Sequence, residues 1–181
     1  MRNPLIVLAA ALMLVAAPAM AKDDLELRYG PVFIEFGAWR QVGTGQQLDP
    51  SQQFRAIFDT VRGGAAGEPN ARFESAARYM NLLVANGVPR QNVHVAVVVH
   101  GPAIWDVTND EAYHRKSHGE GNPSREIVRA MLAQGVQFIV CGQSALGQDI
   151  GSEDLMPGVT MALSQTVATS VLHQQGFTNI P

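Results

Sequence analysis

Cysteine is almost missing from this chain of 181 residues: Cys141 is the only one. A single thiol closes no internal disulfide. It is therefore a buried inert group, a link to another chain, or a working thiol. Charge is also sparse, at 16% of residues with a formal net of −3. No basic stripe runs along any segment, which argues against a nucleic-acid partner. The apolar run of residues 5–17 falls short of the roughly 20 residues that cross a bilayer. The glycines at 63, 64 and 67 lack the dinucleotide-binding spacing, and no phosphate-binding lysine follows them. No cofactor is expected. Internal repeats and low-complexity segments are also missing.

What the sequence does contain begins with export. Arg2, the apolar run behind it, and the small-x-small site Ala19-Met20-Ala21 have the layout of a secretory signal peptide over residues 1–21. An uncleaved anchor is the alternative. Cleavage after Ala21 places the mature protein in the periplasm or outside the cell, with no segment left for stable membrane insertion. Loss of Arg2 shifts the net charge from −3 to −4. The remaining length suits one domain.

Residues 22–52 read as an irregular N-terminal arm, with residues 29–36 as a candidate edge strand broken by Gly43, Gly45 and Asp49-Pro50. The regular pattern occupies residues 53–181. A strand over 54–59 leads into a glycine-rich turn. Pro69-Asn70 then opens a helix whose Phe73, Ala76, Ala77, Met80, Leu83 and Val84 share one face, and Gly87 ends it. Residues 93–99 form a nearly unbroken β-branched run, as expected of a central parallel strand covered on both faces. A polar loop over 106–122, a helix over 124–134 and a strand over 136–141 follow. A turn carrying Asp149, Glu153 and Asp154 leads to a strand near 159–162, a helix over 163–175 and a last strand over 177–180. Alternation of this kind predicts right-handed crossovers and a mainly parallel sheet. Ligands of such sheets gather at the carboxyl ends of the strands, where Asp59, His100 and Cys141 fall.

Four blocks carry a family resemblance: Val97 to Ala103, Gly135 to Gln143, Asp154 to Val159, and Gln174 to Phe177. In order and spacing they resemble the DsrE/DsrF-like family from about Phe54 to the C-terminus. The resemblance implies a three-layer α/β/α domain on a five-stranded sheet and assembly into homo-oligomers, trimers or hexamers. It also implies that the cysteine at the position of Cys141 carries sulfur as a persulfide. The relay members of the family are intracellular, whereas this chain reads as exported with an added arm.

Cys141 and His100 are the candidate catalytic residues. Gly142, Gln143 and Ser144 form a turn whose amides can stabilise a thiolate or an anion. His100 can orient or deprotonate Cys141, and Asp59 can hold the imidazole. The bland alternatives are a structural thiol, a histidine bonded to loop backbone, and a turn-capping aspartate. Asn81, on the edge of an apolar helix face, either supports the strand ends or bonds a loop. Trp105 either walls a pocket or fills the core. In the loop, His114, Arg115, Lys116 and His118 could draw an anion. The pair His114 and His118 has metal-ligand spacing only if helical, which Gly119 and Gly121 oppose, so no metal site is expected.

Three functions compete. One is a sulfur carrier, transferase-like rather than a complete enzyme, which takes sulfur on Cys141 from a small sulfur compound or a donor protein. The second is a non-catalytic oligomeric scaffold or small-ligand module, consistent with the lack of a second cysteine. The third, a metal bound by His100 and Cys141, predicts co-purifying metal.

Overall fold

The computed structural model describes residues 26–43, 45–117 and 121–181. The expected signal peptide and His118 lie outside them. Five strands form the sheet: β1 (Phe54–Thr60), β2 (Val93–Val99), β3 (Gln137–Cys141), β4 (Thr160–Ala162) and β5 (Thr178–Ile180). Their order is β4-β3-β2-β1-β5, and every pairing is parallel. The central valines of β2 are buried on both faces, which is why that segment shows no alternation in sequence.

Helices α1 (Ala71–Ala85) and α3 (Arg125–Ala133) cover one face. There Phe73, Met80, Ile127 and Met131 pack against Val95, Val97, Val99 and Phe138. The other face is covered by α5 (Gln165–Gln174), through Ala168 and Leu172 on Ile57, Ala96 and Val98. This is the expected α/β fold, with helices on both sides of a five-stranded sheet. The caps follow the sequence: the Asn70 side chain accepts from the Arg72 amide at 2.9 Å, and the Ser164 hydroxyl accepts from the Val167 amide at 3.1 Å.

Three segments differ from the sequence reading. Residues 29–36 are not a strand. Among its described residues the arm joins an antiparallel bridge only at Arg28 and Trp39, and its backbone is bound instead by side chains of α1. The Asn81 carboxamide oxygen accepts from the amides of Val32 (3.0 Å) and Phe33 (2.9 Å). Its nitrogen donates to the carbonyls of Phe33, Phe36 and Gly37, and Glu74 accepts from the Gly37 amide at 2.7 Å. Gly37, at φ +66°, lies so close to α1 that a Cβ there would sit 2.4 Å from the Ala77 carbonyl carbon. Bound in this way, the backbone of Val32, Phe33, Phe36 and Gly37 is spent on α1 and not on a sheet.

The second difference is a helix inside the predicted loop, α2 (Asp110–Ser117). Its signal is electrostatic rather than apolar. Asp110 and Glu111 lie in its first turn and His114, Arg115 and Lys116 in its last, complementing the helix dipole, while Asn109 accepts from the Ala112 amide at 2.8 Å. The third is a five-residue helix, α4 (Gly142–Leu146), where a plain turn was expected.

Candidate functional site: a thiol at the carboxyl edge of the sheet

Side chains alternate along β1, β2 and β3, and that alternation decides which face each strand end serves. Ile57, Val98 and Ile139 all point toward α5. Two residues on from each, Asp59, His100 and Cys141 belong to the same face. In register, Asp59 is level with Val98, and Val99 with Val140, so His100 and Cys141 follow adjacent paired positions with Asp59 two residues behind. The equal spacing in sequence thus becomes a row across three neighbouring strands.

Cys141 closes β3 opposite Ala162 and caps α4. It is 5% exposed. Burial alone pushes the thiol up, but the nearby Ser144 hydroxyl and the amides of Ser144, Gln165 and Gln143 favour the thiolate and bring the thiol below its ordinary value. Two of the three expected turn residues therefore favour the thiolate. The third has a different role. A Cβ on Gly142 would lie 2.7 Å from the Ala162 carbonyl, so glycine lets the turn fold flat against β4. The Gln165 amide, at the start of α5, was not foreseen; nothing local in the sequence links it to Cys141.

The His100 Nε2 lies 3.3 Å from Asp59 Oδ2, the orienting contact expected of the pair. Asp59 Oδ1 is buried without a partner among the described residues. Asn81 is not part of this row. It is fully buried between α1 and the arm, and its carboxamide bonds arm backbone. Of the readings open to it in sequence, the helix-to-loop bond is the one observed.

The loop cations are engaged within the chain. Arg115 pairs with Asp154 at 2.8 Å, and the Lys116 ammonium lies 5.7 Å from the centre of the Trp105 ring. Trp105 is partly buried against the core, and its indole N–H donates to Gln148 at 2.8 Å. Polar residues without a sequence signal form a second buried group. Asp106 is 4% exposed, accepts from the Gly64 amide (2.8 Å) and the Asn70 carboxamide (2.6 Å), and has its carboxyl raised by burial. A carboxylate of the chain itself thus binds the glycine-rich turn.

Beside Cys141, between β4 and α5, runs an apolar groove of about 660 Å³, lined by Gln143, Leu146, Met161, Leu163, Val167 and Val171. Leu146 and Leu163 are 75% and 77% exposed. Gly142 and Gln143, which follow the cysteine, line the groove, whereas Cys141 itself does not.

Comparison with known proteins bears on this arrangement. The model of the DsrE/DsrF-like family matches residues 55–180. Among solved structures, MTH1491 of Methanobacterium thermoautotrophicum, a protein of unknown function, superposes with a TM-score of 0.53 at 16% identity. It covers 71% of this chain and 98% of its own. The ychN protein from E. coli gives 0.48 at 15% identity, covering 71% and 99% respectively. At 16% identity the likeness to MTH1491 concerns the fold. No curated protein matches the sequence.

Proposed function

This chain belongs to the DsrE/DsrF-like family, and on that premise we propose that it holds or relays sulfur through Cys141, outside the cytoplasm and as a homo-oligomer. The observation that carries the reading is the place of the thiol: Cys141 closes β3 at the carboxyl edge of the sheet and caps α4, where the Ser144 hydroxyl and neighbouring amides hold it below its ordinary value against burial. The step is a sulfane transfer. The Cys141 thiolate attacks the outer sulfur of a donor persulfide or polysulfide, the donor's S–S bond breaks, and its electron pair leaves on the donor sulfur. A new S–S bond forms at Cys141, and no external oxidant is consumed. His100, held by Asp59 at 3.3 Å, ends the strand beside β3 and is the candidate general base. Exposure to polysulfide should add the mass of one sulfur atom to the intact protein and none to Cys141→Ser.

The slight exposure of Cys141 favours a second reading, a non-catalytic oligomeric scaffold or small-ligand module. A Cys141 that alkylates no faster than a model thiol at neutral pH would support it. A metal held by His100 and Cys141 is the third possibility, and elemental analysis of the purified protein decides it. Assembly is supported by the exposed apolar groove, a surface that a second copy can cover.

A further inference from the structure

Two loops meet behind Cys141, and a single carboxamide joins them. Gln148, half-buried two residues beyond the end of α4, accepts from the Trp105 indole N–H at 2.8 Å. Its nitrogen donates both hydrogens, one to the Gly101 carbonyl at 2.9 Å and one to the Ser144 carbonyl at 3.1 Å. Each partner occupies a telling position. Gly101 directly follows His100. Ser144 lies in α4, which Cys141 caps, and its hydroxyl and amide are among the groups that lower the Cys141 thiol. Trp105 belongs to the tight helical turn Gly101–Val107 that leaves β2.

We propose that Gln148 is the positioning residue of the Cys141 site, a clasp that locks the thiol-binding turn of α4 to the segment carrying His100. The physical need is clear from the length of α4. A helix of five residues is too short to be stable by itself. The carbonyls of Gln143, Ala145 and Leu146 accept from the following backbone amides of Gly147, Gln148 and Asp149, whereas the Ser144 carbonyl is capped from the side by the Gln148 carboxamide. With the cap in place, the Gln143 and Ser144 amides and the Ser144 hydroxyl stay aimed at the sulfur. Without it, the turn frays toward water, and the donors that favour the thiolate lose their alignment. The third bond, from Trp105, fixes the carboxamide itself, so that its oxygen and nitrogen cannot exchange roles. Lys116 stacked over Trp105 extends the clasp to α2.

The inference rests on Cys141 being the working group, but its test needs no sulfur donor. Because the chain has one cysteine, thiolate absorbance and alkylation both report Cys141 alone. Two variants separate the contacts. Gln148→Met removes all three bonds. Gln148→Glu keeps the acceptor for Trp105 and loses both donors. In both, the pH profile of alkylation should move upward, and the rate at neutral pH should fall by about threefold or more, the effect of one displaced donor. Asn81→Ala, which loosens the arm without touching the site, should lower stability and leave that profile in place. A folded Gln148→Glu protein that alkylates along the wild-type profile would overturn the assignment. So would a variant that does not fold at all, since Gln148 would then be a plain structural residue. Failure of persulfide formation, with the profile still shifted, would count against the sulfur reading alone.

Discussion

Replacing Asn81 by alanine tests how the arm is held. The wild-type carboxamide accepts from two backbone amides, Val32 and Phe33, and donates to three carbonyls, Phe33, Phe36 and Gly37. Asn81 is fully buried, so these groups have no immediate access to water. A buried polar group left unpaired costs about 1–3 kcal/mol. Counting only the two amides, and letting water reach the carbonyls, gives a loss of about 3 kcal/mol while the arm stays packed. Release of the arm is the other outcome. It exposes Phe33 and Trp39, now 4% and 8% exposed, at about 1.5–3 kcal/mol each. Both routes therefore predict a loss of about 3 kcal/mol in urea unfolding. Hydrogen exchange tells them apart, because only release removes protection from the Val32 and Phe33 amides and from the Trp39 indole, which donates to the Gly30 carbonyl. A loss below about 1 kcal/mol, with all three still protected, would refute the reasoning.

Two further predictions concern the buried carboxylate and the groove. Burial raises the Asp106 carboxyl above its ordinary value of 3.8, so folding favours its protonated form. Its contribution is therefore fully present below that value and is lost as pH rises through the folded-state value. Asp106→Asn keeps an acceptor for Gly64 and Asn70, so the variant should be more stable than wild type at neutral pH and lose that advantage in acid; an unchanged difference across pH would contradict this. In the groove, Leu163→Glu places a charge on a residue that is 77% exposed. Light scattering should give a multiple of the chain mass for wild type and the mass of one chain for the variant. Equal masses would remove the groove as the contact between copies.

The sheet was legible because its strands carry their own signal. The unbroken β-branched run of 93–99 and the apolar stretch ending at Cys141 can be little else in an α/β chain, and their ends place Asp59, His100 and Cys141. The donors around the sulfur were legible only where they were local. Gln143 and Ser144 follow the cysteine directly, whereas Gln165 arrives from the next helix. The α2 helix was hidden because only Ala112 of its described side chains is buried, so no apolar period betrays it. The arm reads as a strand by composition, with Tyr29, Val32, Phe33, Ile34 and Phe36 close together. Asn81, about 45 residues away, determines otherwise. Gln148 and Asp106 act through contacts more than 40 residues distant in sequence. Tertiary contacts of that kind leave no mark on local pattern.

Mass spectrometry of the intact protein after treatment with polysulfide and removal of excess reagent addresses the central claim most directly. The account predicts one added sulfur atom, located on Cys141, removable by a thiol reductant and not seen with Cys141→Ser. Wild-type protein of unaltered mass, or the same gain in the serine variant, would contradict it.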